Sequence, residues 1–269
     1  MHEPIKIQPG LAAPPGSVRW MTTPENLHDC PKGMEYLAMV DELQVRQEVD
    51  VTEQFMNWES KNHYTVMNKH GEKIYDVVEE SNMWFRQCCK QRRGYTMHVI
   101  DNFKEEVIRI DRPYKCCNSD NYCWACCPCC AQFSTIEAPI GQTIGTVRQR
   151  CACCSPCFYI RDANGRNIFS IEGPCTCCLK CCTFCGKVFR VSSVETGLEV
   201  AQITRKWNGY AKDRFTNVDL YGVTFPMDLD VRMKASLMAL VFLIDFMHYE
   251  EEPDHKKEQR DAKNRPDES

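Results

Sequence analysis

The run Ala235-Ser236-Leu237-Met238-Ala239-Leu240-Val241-Phe242-Leu243-Ile244-Asp245-Phe246-Met247 decides how the rest of the chain is arranged. It carries apolar side chains on every face of a helix, and such a helix lies in an apolar interior, either a protein core or a bilayer. A bilayer span takes about 20 mostly apolar residues. This run offers roughly 13 and includes Asp245. An Asp at the centre of a spanning helix costs about 2.5–3.5 kcal/mol. The sequence therefore predicts a core helix near 231–248, with a single membrane span as the alternative.

A core helix needs walls, and the preceding sequence spells them. Residues 63–67 alternate in polarity, pass through Lys69-His70-Gly71-Glu72 and alternate again over 73–78. The same sentence repeats over 95–100 and 107–110, over 158–160 and 167–171 around Asn164-Gly165, and over 188–191 and 198–203 around Thr196-Gly197. Period-2 alternation with β-branched and aromatic residues around Gly-containing turns is a hairpin signal. Adding 43–51, 133–137, 143–148 and 218–225 gives about twelve strands. So many antiparallel strands followed by one apolar helix predict a mainly β fold, an antiparallel barrel closed on itself with the helix inside. Asp245 must then meet a donor or lie near a barrel mouth.

The barrel domain is expected over 34–249. Residues 1–33, with Pro4, Pro9, Pro14, Pro15, Pro24 and Pro31, read as a flexible arm, and 250–269 as a charged, solvated tail. A net charge of −4 argues against a general nucleic-acid binder and gives no global attraction to anionic lipid. No Ser/His/Asp set or Gly-rich phosphate loop stands out, so no covalent catalysis is expected.

Most of the 20 cysteines fall between Cys116 and Cys185. The opening Met1-His2-Glu3-Pro4-Ile5-Lys6 lacks the apolar run of a secretory leader. These sulfurs are therefore expected to be metal ligands, acylation sites or reactive thiols rather than disulfides. Cys154, Cys157, Cys175 and Cys178 have a four-thiolate zinc spacing across one hairpin, although neighbouring cysteines offer other registers.

Several stretches together resemble the phospholipid scramblase family. They are Cys30-Pro31-Lys32-Gly33-Met34-Glu35-Tyr36-Leu37, Glu106-Val107-Ile108-Arg109-Ile110-Asp111-Arg112-Pro113, Cys126-Cys127-Pro128-Cys129-Cys130, Gly173-Pro174-Cys175, Phe225-Pro226-Met227-Asp228-Leu229-Asp230-Val231 and Phe242-Leu243-Ile244-Asp245-Phe246-Met247. The resemblance runs in order from about Cys30 to Glu250. It implies a tubby-like fold, a twelve-stranded barrel around a C-terminal helix, and ATP-independent, calcium-triggered, bidirectional movement of phospholipids between leaflets.

The resemblance also implies palmitoyl groups on Cys126, Cys127, Cys129 and Cys130. Ala125 stands where the family usually has a fifth cysteine. It implies calcium as a cofactor, with Asn217, Asp219, Tyr221 and Asp228 as candidate ligands. A twelve-residue segment with Gly222 at its sixth position fits an EF-hand loop, but its apolar alternation suggests a strand and its final position is Asp rather than a bidentate Glu. Structural zinc is the second metal expectation. Arg205 and Lys206 align with a nuclear-import segment of some members, against which a solvated strand end is the alternative. The expected setting is the cytoplasmic face of the plasma membrane or another membrane, held by acylation, with a nuclear pool when unacylated. Expected partners are membrane phospholipids and further copies of the chain. The alternative function is a lipid-anchored adaptor, or a headgroup-binding barrel without scrambling of its own.

Overall fold

A computed structural model describes residues 19–22, 24, 30–48, 62–89, 92–115, 125–175, 187–206 and 220–248. Most of the expected arm and the whole expected tail lie outside the described residues. Twelve strands form one closed antiparallel barrel. They are β1 (Glu42–Glu48), β2 (His63–Asn68), β3 (Lys73–Glu80), β4 (Tyr95–Ile100), β5 (Glu106–Arg112), β6 (Phe133–Glu137), β7 (Thr143–Arg150), β8 (Cys157–Asp162), β9 (Asn167–Glu172), β10 (Lys187–Ser193), β11 (Glu199–Lys206) and β12 (Leu220–Thr224). Each strand pairs with its sequence neighbour, and β12 closes on β1 with Leu43 opposite Val223 and Val45 opposite Tyr221. Closure leaves no exposed edge. The alternation seen in the sequence is the in-and-out pattern of this wall: along β4, Tyr95, Met97 and Val99 are buried while Thr96 and His98 are half-buried.

Three hairpin turns at one end share a single solution. Asn68 Oδ1 accepts the N–H groups of His70 and Glu72. Asp101 Oδ1 accepts those of Phe103 and Glu105. Asp162 Oδ1 accepts those of Asn164 and Arg166. In each turn the residue three positions after the acceptor has positive φ: Gly71 at 76°, Lys104 at 65° and Gly165 at 79°. A short Asn or Asp side chain mimics a backbone carbonyl, and the left-handed residue turns the chain back.

Inside runs α3 (Val231–His248), whose side chains from Met233 to Met247 are all buried. The core alternative is thus the one the fold adopts, and the membrane-span alternative is set aside: among the described residues no helix is long and apolar enough to cross a membrane. Two charged residues enter the barrel with it. Near the helix start, Lys234 Nζ donates to the carbonyls of Leu37, Val40 and Met227 at 2.9, 2.9 and 2.7 Å. Near its end, Asp245 accepts Tyr64 Oη–H and Tyr221 Oη–H, each at 2.7 Å. Asp245 therefore meets donors from β2 and β12, which keeps its polar oxygens satisfied in an apolar interior.

Two short helices have no counterpart in the sequence reading. α1 (Glu35–Ala38) packs at the hairpin end, where Tyr75 Oη donates to Gly33 O at 2.7 Å. α2 (Met83–Cys89) lies in the β3–β4 crossover. Both are too short for a period-3.6 pattern to register.

A candidate functional site: a mouth lined with cysteines

Antiparallel succession sends the β3–β4, β5–β6, β7–β8 and β9–β10 connections to the end opposite those three turns. The end of α3 lies there too, since Asp245 meets Tyr64 and Tyr221 at the starts of β2 and β12 and the Phe246 ring packs tilted against Tyr95 at 4.2 Å. Every described cysteine except Cys30 belongs to this mouth: Cys88 and Cys89, then Cys126, Cys127, Cys129 and Cys130, then Cys151, Cys153, Cys154 and Cys157, and Cys175. Cys30 lies by the start of α3, where burial, with Glu35 and Asp230 adding to it, pushes its thiol up to about 11.

Cys126–Cys130 form a turn in which the N–H groups of Cys130 and Ala131 both donate to Cys127 O at 3.0 Å. Pro128 at the bend suits such a turn. The knuckle is pinned to the barrel from below. Gln132 Nε2 donates to Cys130 O at 3.3 Å and Lys115 Nζ to Pro128 O at 3.3 Å. Gln132 in turn accepts Arg112 Nη2 at 2.8 Å, and its N–H donates to Gln149 Oε1 at 3.1 Å. Beneath these, Arg93 pairs with Glu79 at 3.0 Å, both fully buried. Burial alone would push Glu79 up, but the Arg93 charge and hydrogen bonds from Arg93, Ser81 and the Asn62 N–H together hold its carboxyl below the ordinary range. A paired buried charge of this kind fixes geometry more than it adds net stability.

The knuckle exposes its sulfurs. Cys126, Cys127 and Cys129 are exposed and outside any disulfide. Cys127 Sγ and Cys129 Sγ lie 3.1 Å apart, and Cys129 Sγ and Cys130 Sγ 3.7 Å. Hydrogen bonds from the Cys129 thiol and from the Cys129 and Cys130 N–H groups lower the Cys127 thiol below its ordinary value. A lowered, exposed thiol is the more nucleophilic one at neutral pH. Cys130 departs from the expectation of unpaired sulfurs, because it is disulfide-bonded. The fold crowds several sulfurs into one mouth, a proximity that chain spacing does not reveal.

The remaining candidate residues are described only in part. Cys154 and Cys175 are exposed and Cys157 is buried at the start of β8, while Cys178 lies outside the described residues. Among the described residues, the sulfurs of Cys127, Cys129 and Cys130 lie within 4.8 Å of one another, though the disulfide at Cys130 leaves two of them as thiols; the expected zinc set includes Cys178, outside the described residues. Asn217 and Asp219 also lie outside the described residues. Tyr221 is a strand residue of β12 whose phenol turns inward to Asp245, and Asp228 is exposed beyond the other end of that strand. Tyr221 thus sits within a strand and Asp228 in the segment that follows it. Arg205 and Lys206 end β11, with Arg205 opposite Lys187 and Tyr221 in the ladder. The sequence reading passed over Cys88 and Cys89, although two adjacent cysteines in a strand connection are the same signal as at 126–130.

The fold and the mouth define a class: a closed barrel plugged by its own C-terminal helix, with exposed thiols gathered at one end. The Scramblase family model matches residues 21–251, and the chain belongs to that family. It is 36% identical over 247 residues to human (Homo sapiens) phospholipid scramblase 2, covering 92% of this chain and 79% of that one. It is 35% identical over 250 residues to phospholipid scramblase 1 of Mus musculus, covering 92% and 73%. It is 37% identical over 224 residues to human phospholipid scramblase family member 5, covering 82% and 78%. Among solved structures, an Arabidopsis thaliana protein determined by X-ray crystallography aligns with a TM-score of 0.40 and 12% identity over 77% of this chain and 94% of that one.

Proposed function

We propose that this protein moves phospholipids in both directions between membrane leaflets, triggered by calcium and without ATP, while acyl chains hold it at the cytoplasmic face of a membrane. The supporting observation is the knuckle of exposed thiols at one mouth, in a chain whose relatives carry the name phospholipid scramblase. Acylation there is a thioester exchange: the Cys127 thiolate attacks the carbonyl of an acyl thioester, the new S–acyl bond forms, and the carrier thiolate leaves. Cys126 and Cys129 are exposed for the same exchange, and Cys130 joins them after reduction by a cellular thiol. Each buried CH₂ contributes about 0.8 kcal/mol, so two chains anchor stably where one does not.

Calcium engagement is part of the proposal. Of its four expected ligands, Asp228 is the described residue with an exposed carboxylate. Asp228 and the knuckle stand at opposite ends of the barrel, so calcium engagement at Asp228 acts at a distance from the anchored mouth. Lipid does not pass through the barrel, because α3 fills it. Moving headgroups across hydrocarbon then requires bilayer distortion or self-association around the anchored barrel.

That filled interior also favours a second reading, an anchored adaptor or headgroup-binding barrel that changes lipid distribution only through partners. Dithionite quenching of fluorescent lipids in liposomes bearing the purified, acylated protein separates the two. Calcium-dependent loss of the inner-leaflet signal, absent in Asp228→Ala and without leakage, supports scrambling. A flat signal with bound, folded protein leaves the adaptor.

A further inference from the structure

We infer that the β3–β4 crossover is a membrane-insertion patch in its own right, placing Trp84 and Met83 in the interfacial layer of an anionic phospholipid bilayer. Asn82 starts α2 by accepting the Trp84 N–H at 2.9 Å, an N-cap that fixes where the helix begins. The first two helical side chains then face solvent, with Met83 47% and Trp84 75% exposed. An indole left this open forgoes the burial that large aromatics normally find in a core. The helix ends at Cys88, exposed, and Cys89, half-buried, and the exposed Arg92 follows. Lys115 N–H donates to Arg92 O at 3.2 Å, which ties this crossover to the next one, where Tyr114 is 49% exposed.

Trp and Tyr beside an exposed cation, here Arg92, form the composition of a membrane interface, with rings at headgroup level and positive charge toward lipid phosphate. The opposite end also exposes apolar side chains, Val194, Leu198 and Met227. They stand among the exposed carboxylates of Glu195, Glu199, Asp228 and Asp230, which anionic lipid repels, whereas at the patch end the exposed Glu80 is clasped by His98 Nε2 at 2.9 Å. The patch shares its mouth with Cys126–Cys130, so chains on the knuckle would press it against the bilayer. This inference rests on the membrane-bound reading above and adds which face meets the lipid.

The test uses the full chain without acyl groups and vesicles of phosphatidylserine and phosphatidylcholine, with or without bromine at shallow acyl positions. Binding that weakens with salt is expected, with tryptophan emission quenched by the bromolipids. Trp84→Phe should keep binding and lose the share of that quenching that Trp84 contributes among the chain's five tryptophans. Trp84→Ala should weaken binding by at least about tenfold, and Leu198→Ala should leave it unchanged. Equal quenching in Trp84→Phe, wild-type binding by Trp84→Ala, or weakening by Leu198→Ala instead would overturn the patch. Absence of binding by the unacylated chain would also overturn it, while leaving the scrambling assay on acylated protein to decide the function by itself.

Discussion

At the scale of single residues, the barrel tolerates a carboxylate at Asp245 because two phenols close on it. Asp245→Ala removes this acceptor from both buried hydroxyls, and losing a buried hydrogen-bond partner costs about 1–3 kcal/mol. Chemical denaturation should therefore show a loss of about 3 kcal/mol or more. Replacing all three together (Tyr64→Phe, Tyr221→Phe, Asp245→Leu) should recover part of it; a triple variant no better than the single would argue that packing, not the polar contact, matters there.

His98 on the outer wall gives a pH test. Its Nδ1 lies 2.7 Å from Glu106 on β5 and its Nε2 2.9 Å from Glu80 on β3, with Arg109 also bonded to Glu106. Burial pulls the imidazole down, but the hydrogen bonds and charges of Glu106 and Glu80 outweigh it and raise its pKa above the ordinary value. A group with a raised folded pKa stabilises fully below its unfolded pKa, about 6.5, and loses that contribution as pH rises through the folded value. The stability gap between the native chain and His98→Ala should be widest near pH 6 and should narrow by about pH 9. A gap that stays constant, or widens with pH, would count against the clasp.

At the scale of elements, strand alternation and the positions of the turns were read correctly from sequence because both are local. Gly71 and Gly165 sit where the chain needs positive φ, whereas the acceptor role of Asn68 and Asp162, three residues earlier, was not read from it. Gly165→Ala meets no atom within 4 Å of its new Cβ, so any cost is conformational. About 1 kcal/mol of destabilisation is expected from denaturant midpoints; an unchanged midpoint would show that the turn relaxes. The twelve-residue calcium segment shows the reverse case. Its spacing suggested a loop and its alternation a strand, and residues 220–224 form β12. Local alternation was the better guide there because the strand has partners on both sides, β1 and β11.

At the scale of the whole molecule, the placement of α3 governs what membrane contact can mean. Leu240 is fully buried in the barrel. Leu240→Glu puts an unpaired carboxylate in the core and should unfold the domain, a loss beyond about 4 kcal/mol. The check is circular dichroism and protease resistance of the full chain. A variant that stays folded but leaves membranes after deacylation would return the helix to the bilayer.

By itself the sequence determined the twelve strands, their hairpin order, the all-round apolar helix and the presence of dense cysteine segments, because period, turn residues and composition act over a few positions. Only the tertiary structure decided where the helix goes, since a short apolar run suits either a core or a bilayer until a wall closes around it. It also decided which sulfurs meet. Barrel closure with antiparallel order brings Cys88, Cys127, Cys151 and Cys175 to one mouth and sends Asp228 to the other. It turns Tyr221 inward to Asp245, a pairing across 24 residues that no local signal encodes. Proximity between distant segments is set by closure of the sheet, and closure is a property of all twelve strands at once.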